Sequence, residues 1–119
     1  TRADMRAAAH ALFARDGKAV SAVRDSGGFI TQRVLATIVN IAADICQQRI
    51  CTPQDLETAV TLGLGYPQGP LALGECWGAE RVLQVLENLQ TVYGDPRYRP
   101  SPWLRRRALL GLSLMHAED

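Results

Sequence analysis

At 119 residues the chain has room for one domain and little else. Its 47% hydrophobic and 21% charged residues are the balance of an ordinary globular protein, long enough to bury one core without disulfide staples. A formal net charge of +1 argues against nucleic acid or a membrane surface as partner, and no apolar run approaches the ~20 residues that span a bilayer.

Three cysteines, Cys46, Cys51 and Cys76, make an odd count with no C-x-x-C pair, and the histidines, His10 and His116, lie near the two ends. No disulfide framework and no metal site are expected from such a set. Sparse thiols and the lack of a signal-peptide pattern predict a reducing, cytoplasmic setting. The chain opens at Thr1 inside a helical pattern, as expected of a fragment of a longer protein.

In chain order, Ala3 to Ala14 reads as a helix closed by Asp16-Gly17. Ala19 to Val23 alternates weakly and predicts an extended connector or a lone edge strand. Asp25-Ser26-Gly27-Gly28 is a turn, and a long helix is predicted from Gly28 to Arg49. That helix carries two apolar stripes, Ile30, Val34, Ile38, Ile41 and Ile45 beside Leu35, Val39, Ala42 and Cys46. An arc so wide has to pack on two sides, either at the centre of the bundle or against another subunit. Thr52-Pro53-Gln54-Asp55 starts the next helix, with Thr52 as cap, Pro53 at the first position and Asp55 at the positive end of the dipole. It stops at Gly63, and Gly65 to Pro70 forms a tight loop. A short helix follows over Leu71–Trp77, then a longer one over Ala79–Tyr93 with Val82, Leu83, Val85, Leu86 and Leu89 inward. Arg97 to Pro102 reads as a loop, and Trp103 to Leu114 as a last helix.

Few residues could carry chemistry. A nucleophile–base–acid set needs Ser or Cys near His and a carboxylate, and the two terminal histidines offer none. A dinucleotide site needs a glycine turn between strand and helix, whereas Gly63-Leu64-Gly65 follows a helix. No catalytic, cofactor-binding or metal-ligating residue is therefore assigned. Asp55 and Glu57 stand two apart on one helix and read as a solvated face. Arg97, Arg99, Arg105, Arg106 and Arg107 form a basic cluster, either an anion site for CoA or nucleic acid or a solvated face paired with nearby acids.

Asp25-Ser26-Gly27-Gly28-Phe29-Ile30-Thr31-Gln32-Arg33 resembles the Asp-x-Pro-Gly-Phe-Ile-x-Asn-Arg junction that opens the C-terminal domain of 3-hydroxyacyl-CoA dehydrogenases, the 3-hydroxybutyryl-CoA type in particular. Thr52 to Ala59 is similar to that family's next helix start, and Leu62 to Pro70 to its Gly-x-Gly-Tyr-Pro-x-Gly-Pro loop. The resemblance runs roughly from Gly17 to Leu112.

It implies an all-α bundle of the 6-phosphogluconate dehydrogenase C-terminal-like type, with an extended segment near residues 18–24. Residues 1–24 would be the end of a preceding domain and its connector, and 25–119 the helical C-terminal domain. It further implies a parent enzyme that oxidises 3-hydroxyacyl-CoA to 3-oxoacyl-CoA, with NAD and the catalytic pair in a domain absent from this chain. The fragment itself would be inactive. Its partners would be a second copy, joined through the Gly28–Arg49 helix, and the acyl-CoA of the parent.

Gln32 occupies the family's Asn position and is the one candidate substrate contact, displaced by a methylene; its alternative is a plain surface amide. Ile41 replaces a Glu common in the family. These departures, with the Arg97-to-Leu104 segment, resemble the second copy of the domain in long bacterial enzymes.

Overall fold

Helix α2, Thr31–Gln47, carries a face of small side chains, and the bundle is assembled around that face. The computed structural model describes residues 1–117. Before α2 stands α1, Ala3–Ala14; after it come α3, Pro53–Gly63, α4, Pro70–Trp77, α5, Ala79–Tyr93, and α6, Pro102–Leu110, with a single 3-10 turn at Pro96–Tyr98. Among the described residues there is no strand, so the fold is all-α.

Ala36, Val39, Ala42, Ala43 and Cys46 of α2 are buried against α4, α5 and α6. Short side chains let these helices pack closely, and Gly74 of α4 has no room for a side chain. A Cβ there would lie 2.7 Å from Leu114 Cδ1 and 2.8 Å from Val39 Cγ1. Leu71, Val82, Leu86, Leu104 and Leu114, all fully buried, complete one continuous core.

Several sequence expectations change at the ends of elements. The long helix begins at Thr31 rather than Gly28, because Gly28 has φ +68° and Phe29 φ +44°, which no helix accommodates. It ends at Gln47 rather than Arg49. Ile50 N–H donates to Ile45 O at 3.2 Å and Arg49 N–H to Cys46 O at 3.0 Å, with Arg49 left-handed, the bond pair of a Schellman stop. The last helix ends at Leu110, not Leu114: Gly111 is left-handed and Leu112 N–H returns to Arg107 O.

The four residues thus freed from the helix let Leu114 turn back into the core. Its carbonyl accepts from Trp103 Nε1 at 3.2 Å, its N–H donates to Glu75, and the next turn is tied by Arg107 Nη2 donating to His116 O at 2.6 Å. Ala19 to Val23 makes no strand pairing among the described residues.

The α1 helix buries no residue, and Met5, Leu12 and Phe13 are exposed. It stands off as an arm. The chain measures 58 × 32 × 23 Å, and its radius of gyration of 17.1 Å exceeds the ~13.5 Å typical of a compact domain of this length. No helix among the described residues is long and apolar enough to cross a membrane.

The close packing at Gly74 gives a direct test. Gly74→Ala should lower unfolding stability by about 1–3 kcal/mol, as overpacking does. Urea titration should show an earlier midpoint with an unchanged slope.

Candidate functional site

The junction turn is built by residues 26–33. Phe29 N–H closes it on Ser26 O at 3.1 Å, and Arg33 N–H reaches back to Gly28 O at 3.2 Å. Gln32, the candidate substrate contact, is the second residue of α2 and exposed. It sits on the ridge between two shallow clefts. One is lined by Val23, Phe29, Ile30 and Thr31, the other by Gly27, Val85, Asn88, Leu89 and Val92. Gln32 thus lines both clefts, and most of the other side chains that line them are apolar.

The loop after α3 is held by Glu57. Far from lying on a solvated face, Glu57 is 8% exposed, and its carboxylate accepts from Leu71 N–H at 2.7 Å and Ala72 N–H at 3.3 Å. These are orphan amides of the first turn of α4, where a negative charge also suits the helix dipole. Gly69 makes room for it: a Cβ there would fall 1.9 Å from Glu57 Oε2. At the other end of α3 the cap is as the sequence predicts, with Thr52 Oγ1 accepting from Asp55 N–H at 3.1 Å.

The two stripes of α2 part company. The Val39, Ala42, Cys46 side is buried, while Ile30, Val34 and Ile41 are exposed, and Ile38 and Ile45 half-buried. The outward isoleucines border an apolar groove shared with Leu56, Val60, Leu64, Tyr66 and Pro70. Asn40, between the stripes, is buried and pins the segment before α6. Its Nδ2 donates to Arg99 O at 2.9 Å, and its Oδ1 accepts from Ser101 N–H at 2.7 Å.

The arginine cluster does not form one face. Arg97 pairs with Asp95 at 2.8 Å, Arg99 with Asp44 at 3.0 Å and Arg105 with Glu87 at 2.9 Å. Arg107 is 1% exposed with its guanidinium 3.1 Å from the Trp103 ring centre. Asp95 is held below the usual carboxylate range by the Arg97 backbone N–H first and the Arg97 side chain after it.

Sequence reading did not single out Glu57, Gly74, Tyr93 or Arg33 as positioning residues. Each owes its role to a contact distant in sequence. Gly69-Pro70 ahead of a helix was the one available signal for Glu57, since a glycine before an uncapped helix leaves room for a remote acceptor.

His10 Nε2 lies 3.2 Å from Val20 O on the arm. No group of three or more His, Cys, Asp or Glu among the described residues could hold a metal. The Cys46 thiol is pushed up to about 11, by burial first and by Cys51 second.

The profile of the 3-hydroxyacyl-CoA dehydrogenase C-terminal domain matches residues 28–115. The chain is 47% identical over 96 residues to 3-hydroxyadipyl-CoA dehydrogenase of Escherichia coli, covering 81% of this chain and 20% of that one. It is 35% identical over 101 residues to the probable 3-hydroxybutyryl-CoA dehydrogenase of Bacillus subtilis, covering 85% and 35%. It thus spans about a fifth to about a third of the length of these curated relatives. Among solved structures, (S)-3-hydroxybutyryl-CoA dehydrogenase from Ralstonia eutropha superposes with a TM-score of 0.92 at 29% identity, over all of this chain and 44% of that one. A 3-hydroxybutyryl-CoA dehydrogenase from E. coli gives 0.80 at 45%, over 89% and 22%.

The cysteines give a test of burial. A raised thiol pKa keeps the folded state protonated where the unfolded chain, near 9.0, has begun to ionise, so the Cys46 contribution favours folding less as pH rises from about 9 towards 11. Below pH 9, alkylation should label exposed Cys76 first and Cys46 last, read by peptide mass spectrometry.

Proposed function

The chain belongs to the 3-hydroxyacyl-CoA dehydrogenase family, as its C-terminal domain, and from that membership we propose that it is the dimerising and substrate-closing half of an NAD-dependent dehydrogenase. One observation carries the reading. The matched span begins at Gly28, within the junction turn, and runs through the helical body, while the α1 arm on the other side buries nothing here. Residues 1–24 then belong with a preceding domain and its connector. An isolated helix of 12 residues is marginal in water and gains its stability from a packing partner.

The parent reaction is oxidation of the 3-hydroxyl of an acyl-CoA to a ketone. NAD would be held in another domain of the parent and would supply the hydride acceptor, and a base of that domain would take the hydroxyl proton. Among the described residues no strand leads into a glycine turn of the dinucleotide-binding kind. What this chain's residues do is structural and positional. Glu57 and Gly69 stiffen the loop before α4, the junction turn presents Gln32 at the domain boundary, and the outward isoleucines of α2 offer an apolar face for a second copy.

The parent is proposed to be one of the longer enzymes that carry this domain twice, with this chain the second copy. Identity is 47% to the relative of which the chain spans 20% and 35% to the one of which it spans 35%, which supports the longer type. Those relatives are named for hydroxyadipyl and hydroxybutyryl thioesters, and both chain classes are candidates for the parent. A cytoplasmic setting is proposed on the three free thiols.

The assay is direct. The chain mixed with NADH and acetoacetyl-CoA should oxidise no NADH above the blank. Steady turnover by this chain would contradict a reading that sets the chemistry in another domain.

A further inference from the structure

One aromatic side chain holds the junction to the bundle. Gly27 N–H donates to Tyr93 Oη at 3.0 Å, across 66 residues. Among the described residues it is the one hydrogen bond between residues 15–30 and the helices beyond α2. The fit leaves no slack. A Cβ on Gly27 would stand 3.1 Å from Tyr93 Cε2 and 3.4 Å from Leu89 Cδ2, so the chain lies directly against the ring.

Arg33 stacks on the same ring. Its guanidinium carbon sits 4.5 Å from the Tyr93 centroid and 5.9 Å from that of Tyr98, and the two rings are 5.8 Å apart, inclined at 44°. Nε and Nη2 of Arg33 are buried and meet no acceptor among the described residues. The cation is therefore kept in place by aromatic faces and not by hydrogen bonds.

From this arrangement we propose that Tyr93 and Arg33 form a latch, a positioning pair that fixes the junction turn against the end of α5. The latch sets where Gln32 stands between its two clefts and the direction in which the extended segment leaves towards α1. It works because each part limits a different freedom. The Tyr93 hydroxyl fixes the height of Gly27, the stacked guanidinium fixes the tilt of the Tyr93 ring, and buried Tyr98 backs both. Opening it would swing the arm and move Gln32 without unpacking the core, because Tyr93 is itself 43% exposed and lies at the rim. Only the assignment of the Gln32 cleft to an acyl-CoA rests on the function proposed above; the latch needs no ligand.

Amide hydrogen exchange on this chain, followed by NMR, tests it. In Tyr93→Phe the Gly27 amide should exchange about fivefold faster or more, as loss of one exposed hydrogen bond allows. The Gln32 side-chain amide resonances should shift, and Leu86 and Leu104, deep in the core, should exchange at the wild-type rate. Arg33→Met should reproduce Tyr93→Phe. Arg33→Lys should restore the wild-type pattern, because a cation over the rings is what the site uses.

An unchanged Gly27 rate in Tyr93→Phe would overturn the latch. Equal acceleration at Gly27, Leu86 and Leu104 would also overturn it, since Tyr93 would then only stabilise the fold. No thioester is present in this experiment, so its failure leaves the acyl-CoA reading to stand or fall on its own assay.

Discussion

Everything in this chain depends on how closely other helices can approach α2. Its inward face is made of three alanines with Val39, Asn40 and Cys46, and it packs on four neighbouring helices at once. Small side chains bury little area each, so the stability of the bundle comes from dispersion between closely spaced backbones and from the leucines of α4, α5 and α6 that fill the gaps. Gly74 is the price of that closeness, and Leu114, returned to the core by the left-handed Gly111, seals the space beneath it. A helix used so fully on one side still carries isoleucines on the other. They are left over from this chain's own packing, and it is on their exposure that the proposed pairing with a second copy rests.

Two polar anchors hold the segments that flank this packed helix. Glu57 buries its carboxylate on the amides of α4 and so makes the Gly65–Pro70 loop part of the rigid body. A buried charge of this sort is tolerated because two backbone donors and the helix dipole meet it. At the opposite end, Tyr93 and Arg33 hold the junction turn. Together they tie α3 to α4 and the N-terminus of α2 to the end of α5. The exposed arm lies on the far side of that turn, where a domain border would put it.

Much of the fold was legible because its punctuation is local. The start of α3 at Thr52-Pro53 and both ends of α5 follow from caps, prolines and glycines within a few residues. Periodicity separated the two stripes of α2 but could not say which faced inward, since isoleucine reads as more hydrophobic than alanine. The close approach that favours alanine is a property of the neighbouring helix. The same limit explains Glu57, which local spacing sets in water and the remote Gly69 draws into the interior. The arginines between Arg97 and Arg107 look like one patch in sequence, yet Arg97, Arg99 and Arg105 each pair with a different carboxylate and Arg107 is buried on Trp103. Gln32 was visible only through resemblance to a motif, and local spacing alone would have left it a surface amide.

The central claim is that the outward face of α2 is an interface. Sedimentation equilibrium of this chain at tens to hundreds of micromolar, compared with the variant Ile41→Glu, reads it most directly. The account predicts a mass near twice the chain mass of 13.0 kDa for the wild type and a single chain for the variant. A wild-type chain that stays monomeric throughout, or a dimer untouched by Ile41→Glu, would contradict it.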